Sequence, residues 1–177
     1  MTFETTPIDG LLVITPKVFE DARGYFMESF RQDALEAFMG PVNFVQENES
    51  FSVYGVTRGL HFQKAPHAQA KLIRAVTGAI FDVAVDIRPQ SSTYGKYFAV
   101  QLSGENKKQF FIPRGFAHGF CVLSPTAVVQ YKTDAVYCPA AEGSFRYDSP
   151  DLDIPWPVAE NERILSAKDK AAPIFIL

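Results

Sequence analysis

Apolar and polar residues alternate through most of the middle of this chain. Phe81, Val83, Val85 and Ile87 share one face of an extended segment running to Arg88. Lys71-Leu72-Ile73-Arg74-Ala75-Val76 alternates in the same way and places Lys71 on the inward-looking face with Ile73 and Ala75. Residues 97–102, 109–112, 117–123 and 127–132 read as further short strands. Turn clusters such as Thr77-Gly78, Ser103-Gly104-Glu105-Asn106 and Ser124-Pro125-Thr126 separate them. Short strands at this spacing predict an antiparallel sandwich or barrel. One helix is expected over 31–39, with Leu35 and Phe38 three apart and Gly40-Pro41 as the stop. A second, short helix is expected to start at Ser166, its N-cap, with Asp169 three residues on. Pro150, Pro155 and Pro157 make the intervening segment extended and irregular. No repeat, low-complexity tract or linker interrupts residues 1–177, which reads as one domain.

Composition adds weight to a packed fold. Of 177 residues, 47% are hydrophobic and 16 are Phe, which argues for a sizeable core and against disorder. A net charge of −3 offers no general attraction for nucleic acid or a membrane surface, so a phosphate-bearing ligand would need local Arg and Lys. The N-terminus shows no basic region followed by a long apolar core, and a cytoplasmic protein is the expectation. Of the two cysteines, Cys121 lies in an apolar run and reads as a buried thiol, not a nucleophile. His61, His67 and His118 have no metal-ligand spacing, so no metal site is expected.

Several residues sit where apolar strands do not need them. In an ideal strand Thr57, Gly59, His61 and Gln63 share a small or polar face suited to lining a cavity. Strict alternation sends Arg58 to the other face, onto the surface; a bulge at Gly59 would bring it round to His61. An imidazole titrates near neutral pH and can accept a proton there. His118 shares a face with Phe116, Phe120 and Val122, where packing alone also accounts for it. Tyr131 shares a face with Ala127 and Val129, a position equally suited to core packing or to a hydroxyl in a cavity. Lys71 among inward residues is costly unless it meets a ligand or a carboxylate.

These segments resemble the dTDP-4-dehydrorhamnose 3,5-epimerase family, in the cupin superfamily, nearly end to end. The resemblance is carried by the stretch from Phe19 to Ser29, by Gln46-Glu47-Asn48-Glu49-Ser50 and by Arg58-Gly59-Leu60-His61-Phe62-Gln63. It continues through residues 71–76, 82–88 and 112–120, Tyr131-Lys132-Thr133, Tyr137-Cys138-Pro139, residues 151–157, and Leu165-Ser166-Ala167-Lys168-Asp169. It implies a mainly β, cupin-type jelly roll with a few short helices, and a cofactor-independent isomerase acting on dTDP-4-keto-6-deoxyglucose. The implied base is His61, oriented by Asp169. The implied acid is Tyr131 on the opposite face of the sugar, and Lys71 stabilises the enolate oxygen at C4. Arg23, Glu28, Gln46, Asn48 and Arg58 match nucleotide- and sugar-binding positions. His118, Glu142 and Lys168 match other ligand contacts, and Tyr137 the residue that stacks on thymine. A homodimer is implied, with Arg23 and Glu28 reaching the partner's site. Two positions depart from the family pattern: Thr57, where a large apolar residue is usual, and Glu49, an acidic residue that would affect nucleotide affinity if it faced the phosphates. Two alternatives share the resemblance: a single-centre epimerase or ketoisomerase on a related dTDP-4-keto sugar, and a non-catalytic nucleotide-sugar-binding cupin.

Overall fold

The alternating segments become strands of two antiparallel sheets that face each other. The computed structural model describes all 177 residues. In chain order the elements are β1 (Thr2–Thr5), β2 (Leu12–Thr15), β3 (Val18–Asp21), β4 (Gly24–Met27), α1 (Gln32–Met39), β5 (Gln46–Val53), β6 (Thr57–Gln63) and β7 (Lys71–Thr77). There follow β8 (Ala79–Asp86), β9 (Tyr97–Ser103), β10 (Gln109–Ile112), β11 (Phe116–Val122), β12 (Thr126–Thr133), β13 (Glu142–Ser144) and α2 (Ala167–Ala171). One sheet runs β1-β2-β10-β7-β12-β5, the other β13-β6-β11-β8-β9, and β3-β4 forms a separate hairpin. This is the mainly β, jelly-roll architecture expected from the resemblance.

Three apolar clusters hold the layers. Between the sheets, Ile73 and Val129 of the first meet Ile80, Leu102 and Phe120 of the second, around the fully buried Phe110. The outer face of the second sheet packs Leu60, Val83, Val85 and Cys121 against Trp156 and Phe175 of the C-terminal segment. The outer face of the first packs Leu12, Leu72 and Phe111 against Leu35 of α1. Cover on both faces explains why β11 is buried at every position and reads as a continuous apolar run. Burying one such large side chain contributes roughly 1.5–3 kcal/mol. No helix is long and apolar enough to cross a membrane.

The expected boundaries shift slightly. β8 ends at Asp86 because the backbone N–H of Arg88 turns to donate to Asp86 Oδ1 at 3.0 Å. The second helix starts as anticipated: Ser166 caps α2 by accepting the backbone N–H of Asp169 at 3.1 Å. The apolar face of Phe81, Val83, Val85 and Ile87 turns outward to the C-terminal segment, which leaves the alternate positions, Asp82 among them, facing inward.

Candidate active site

A cavity of about 380 Å³ opens between the two sheets, and its walls come from opposite sides of the sandwich. Asn48 of β5, Lys71 of β7 and Tyr131 of β12 reach it from the six-stranded sheet. Arg58 and His61 of β6 and His118 of β11 reach it from the five-stranded sheet. Tyr137 and Glu142 stand at its edge.

The arrangement of β6 depends on a bulge. His118 pairs with His61 and Phe120 with Arg58, so Gly59 and Leu60 on β6 oppose the single Gly119 on β11. The extra residue turns Arg58 to the cavity side that His61 occupies. The same bulge corrects the ideal-strand reading: Thr57 does not share the cavity face but is buried behind it, its hydroxyl against Cys121 Sγ at 3.2 Å. Gly59 has φ of 120°, and a Cβ there would lie 2.6 Å from Gly119 Cα. Only glycine permits that approach.

His61 Nε2 lies 2.6 Å from Asp169 Oδ1. Burial pushes the Asp169 carboxyl up, but hydrogen bonds from His61 and Ser166 outweigh it and hold the group below its ordinary value. An ionised carboxylate only accepts, so Nε2 carries the hydrogen, and in the neutral form of the ring the lone pair lies on Nδ1. Asp169 does not itself line the cavity; it stands behind the imidazole on α2. Across β11, His118 Nε2 lies 2.8 Å from Asp82 Oδ1. Burial lowers the His118 pKa, against the opposing pull of Asp82.

Lys71 Nζ donates to the carbonyl of His61 at 3.4 Å. Burial lowers its pKa to about 8, with Asp82 and Glu142 opposing. Burial raises the Tyr131 phenol, opposed by the charge of Arg58 and the side chain of Asn48, its cross-strand neighbour on β5. Arg58 has no carboxylate partner and donates only to Ser52 Oγ, at 3.1 and 3.3 Å. At the edge, Glu142 accepts the Tyr137 hydroxyl at 2.9 Å and pairs with Lys168. Gln46 holds the loop there by accepting the backbone N–H of Tyr137 at 2.8 Å.

Two expected site residues lie elsewhere. Arg23 pairs with Asp21 in the β3–β4 hairpin, and Glu28 pairs with Arg31 at 3.8 Å; neither lines this cavity within one chain. Glu49 faces away, accepting Gln130 Nε2 at 2.8 Å on the exposed side of β5, so it does not meet a ligand in the cavity. Asp82, Ser50 and the cavity-lining Gln69 escaped the sequence reading. Asp82 was signalled only by its place on the face opposite Val83 and Val85. Ser50 lines the cavity with a buried hydroxyl that has no partner, two residues from Asn48 on the same side of β5.

The cavity thus sets an imidazole and a phenol on opposing sheets with a lysine beside them, an arrangement suited to moving protons on carbon. Known proteins match this chain over nearly its whole length. Residues 5–176 match the family model described as dTDP-4-dehydrorhamnose 3,5-epimerase. The dTDP-4-dehydrorhamnose 3,5-epimerase of Shigella flexneri is 52% identical over 172 residues, covering 97% of this chain and 94% of that relative. The crystal structure of the enzyme of that name from Elizabethkingia anophelis NUHP1 is 50% identical, with a TM-score of 0.95 over 99% of this chain and 96% of that one. The dTDP-6-deoxy-D-glucose-3,5-epimerase from Legionella pneumophila, solved in complex with dTDP-4-keto-L-rhamnose, is 48% identical, with a TM-score of 0.94 over 98% and 92%. This chain belongs to the dTDP-4-dehydrorhamnose 3,5-epimerase family.

Proposed function

We propose that the chain inverts C3 and C5 of dTDP-4-dehydro-6-deoxy-D-glucose to give dTDP-4-dehydro-L-rhamnose, without a cofactor. The reading is carried by one observation: His61 and Tyr131 enter a single cavity from opposing sheets. A pyranose held between them meets a base on one face and an acid on the other. The C4 ketone acidifies the C–H bonds at C3 and C5. His61 Nδ1 takes one of those protons, and the electron pair moves onto the C4 oxygen as an enolate. Lys71 as an ammonium stabilises that charge in a site poor in water. Tyr131 returns a proton to the opposite face and the centre is inverted. The phenolate and the imidazolium exchange protons with solvent, and the cycle repeats at the second carbon. The ketone is the electron sink, so no redox partner enters the balance.

Binding follows the same division. Arg58, free of any carboxylate, suits the pyrophosphate, with Lys168 a second cation at the edge. Tyr137 offers its ring to thymine, and Gln46, Asn48, His118 and Glu142 hold the remaining polar groups. Arg23 and Glu28 act in a homodimer. The β3–β4 hairpin leaves Phe19, Tyr25 and Phe26 exposed, and the edge strand β5 exposes Phe51 and Val53, surfaces suited to a second copy. In that assembly the hairpin carries Arg23 and Glu28 to the partner's cavity.

Incubation with dTDP-4-keto-6-deoxyglucose in deuterated water, followed by proton NMR, tests the reading. Deuterium should enter at both C3 and C5. Exchange at one carbon alone would mark a single-centre enzyme. Tight binding with no exchange would mark a non-catalytic sugar-nucleotide receptor.

A further inference from the structure

The carboxylate behind His61 is itself held from two sides. Asp169 Oδ1 faces His61 Nε2 at 2.6 Å, and the backbone N–H of Gly59 at 3.4 Å. Asp169 Oδ2 accepts the hydroxyl of Ser166 at 2.7 Å. The same Ser166 oxygen accepts the backbone N–H of Asp169 at 3.1 Å. In the usual capping box the acidic residue at the third helical position reaches back to the backbone N–H of the cap. Here its carboxylate is diverted: one oxygen serves the imidazole and the other takes the cap's hydroxyl hydrogen. Ser166 has one hydrogen to give, and an ionised carboxylate can only accept. The hydrogen-bond directions around Asp169 are therefore fixed, and with them the rotation of the carboxylate about its own axis.

We propose that Ser166 is a positioning residue for the base: its hydroxyl locks the Asp169 carboxylate so that Oδ1 holds the Nε2–H form of His61 and leaves Nδ1 free toward the cavity. This rests on the assignment of His61 as the base. Around this group stand Arg58 on β6, Lys71 on β7, His118 on β11, Glu142 on β13 and Lys168 on α2, and changes confined to position 166 leave all five in place. Loss of the Ser166 donor removes support from the ionised Asp169. The carboxylate then binds a proton more readily and the imidazolium is held more tightly, so the acid limb of kcat/KM moves to higher pH.

Ser166 also caps a five-residue helix, and three substitutions separate that role from the one proposed. Ser166→Thr keeps both hydrogen bonds. Ser166→Ala loses both. Ser166→Gly loses the hydroxyl but forfeits only a small part of the capping preference. The expected result is that Gly and Ala lower kcat alike, by about tenfold, as outer-shell partners of a functional imidazole typically do. KM should stay within about twofold, since Ser166 reaches the reaction only through Asp169 and His61. Their acid limbs should move up in pH, and Thr should restore the wild-type profile. Nitrogen-15 NMR of the labelled His61 ring gives a readout independent of turnover: the wild type and Thr variants hold the Nε2–H form, and the Gly and Ala variants show both tautomers. The proposal is overturned if Gly matches the wild type while Ala loses activity only in step with thermal stability, or if the tautomer is unchanged in both. If wild-type deuterium exchange survives His61→Ala, the base assignment itself has failed and this proposal with it. If exchange depends on His61 but position 166 is silent, only this proposal falls.

Discussion

Two histidines lie opposite one another on β6 and β11, each against a carboxylate, and their surroundings divide the work between them. The His61 side chain is 32% exposed, its Nδ1 has no protein partner, and its carboxylate receives further donors from Ser166 and Gly59. The His118 side chain is 9% exposed and lies against Asp82, whose second oxygen, Oδ2, is buried without a partner. Burial holds the His118 pKa down, so its ring resists taking up a proton. The open ring with the well-supported carboxylate is the one that can accept a proton from a substrate and pass it on. The same pair of residue types yields an open ring, suited to the proposed base, in one place and a fixed polar wall in the other, and exposure and carboxylate support make the difference.

The sharpest way to break this contrast is to change each ring separately. His61→Gln should lower kcat by about a hundred- to ten-thousandfold, the range for a lost general base, and stop deuterium exchange at both carbons. His118→Gln, which keeps a donor for Asp82, should act mainly on KM and leave kcat within about tenfold. Equal losses in kcat would show that the two pairs are not divided as described.

The next effect concerns the group between the pairs. Lys71→Met should cost about 100- to 1000-fold in kcat, as loss of one oxyanion donor typically does. In the wild type, burial lowers Lys71 to about 8, and the group must carry its proton to stabilise the enolate. Lys71 is therefore competent below that value, and kcat/KM should fall as pH rises through about 8. Tyr131, raised by burial, stays a phenol across that range. A basic limb that persists unchanged in Lys71→Met would reassign it.

The two carboxylates should then separate by pH. The charge of Asp82 favours protonated Lys71, so Asp82→Asn should move the basic limb to lower pH. Asp169→Asn should leave that limb where it is and lower kcat instead, by disturbing the His61 tautomer. The smallest effect calibrates the rest. Glu49→Gln alters an exposed side chain outside the cavity and should change kcat and KM by no more than about twofold, the scale of an ordinary surface substitution.

How much of this was legible in the chain varied with what each strand faces. β7, β9, β10 and β12 stand out because one side of each meets the apolar interior. β5 does not, since Gln46, Asn48 and Ser50 point into the cavity while Glu47 and Glu49 point to solvent, so residues 46–50 carry no period-two apolar signal. The strands β1, β3 and β4 are mostly exposed as well as short, so no buried face marks them. His61 and Lys71 were conspicuous as polar residues on inward faces. Arg58 was ambiguous because its direction depends on a bulge against Gly119, a partner 61 positions away in sequence. The pairings of His61 with Asp169 and of His118 with Asp82 span 108 and 36 residues, and no local spacing encodes either. The roles of acid, base and enolate stabiliser came from the resemblance, because residue types alone left Tyr131 and His118 equally at home in a core.

Where β6 crosses β11, Gly59 and Gly119 press backbone on backbone, and a methyl group on Gly119 would sit 2.7 Å from the Arg58 carbonyl. The aim of a guanidinium is thus written in two absent side chains. A descendant that acquired an alanine at either place would retain every charged and aromatic group of the cavity, yet it would have lost the crossing that steers one of them into it.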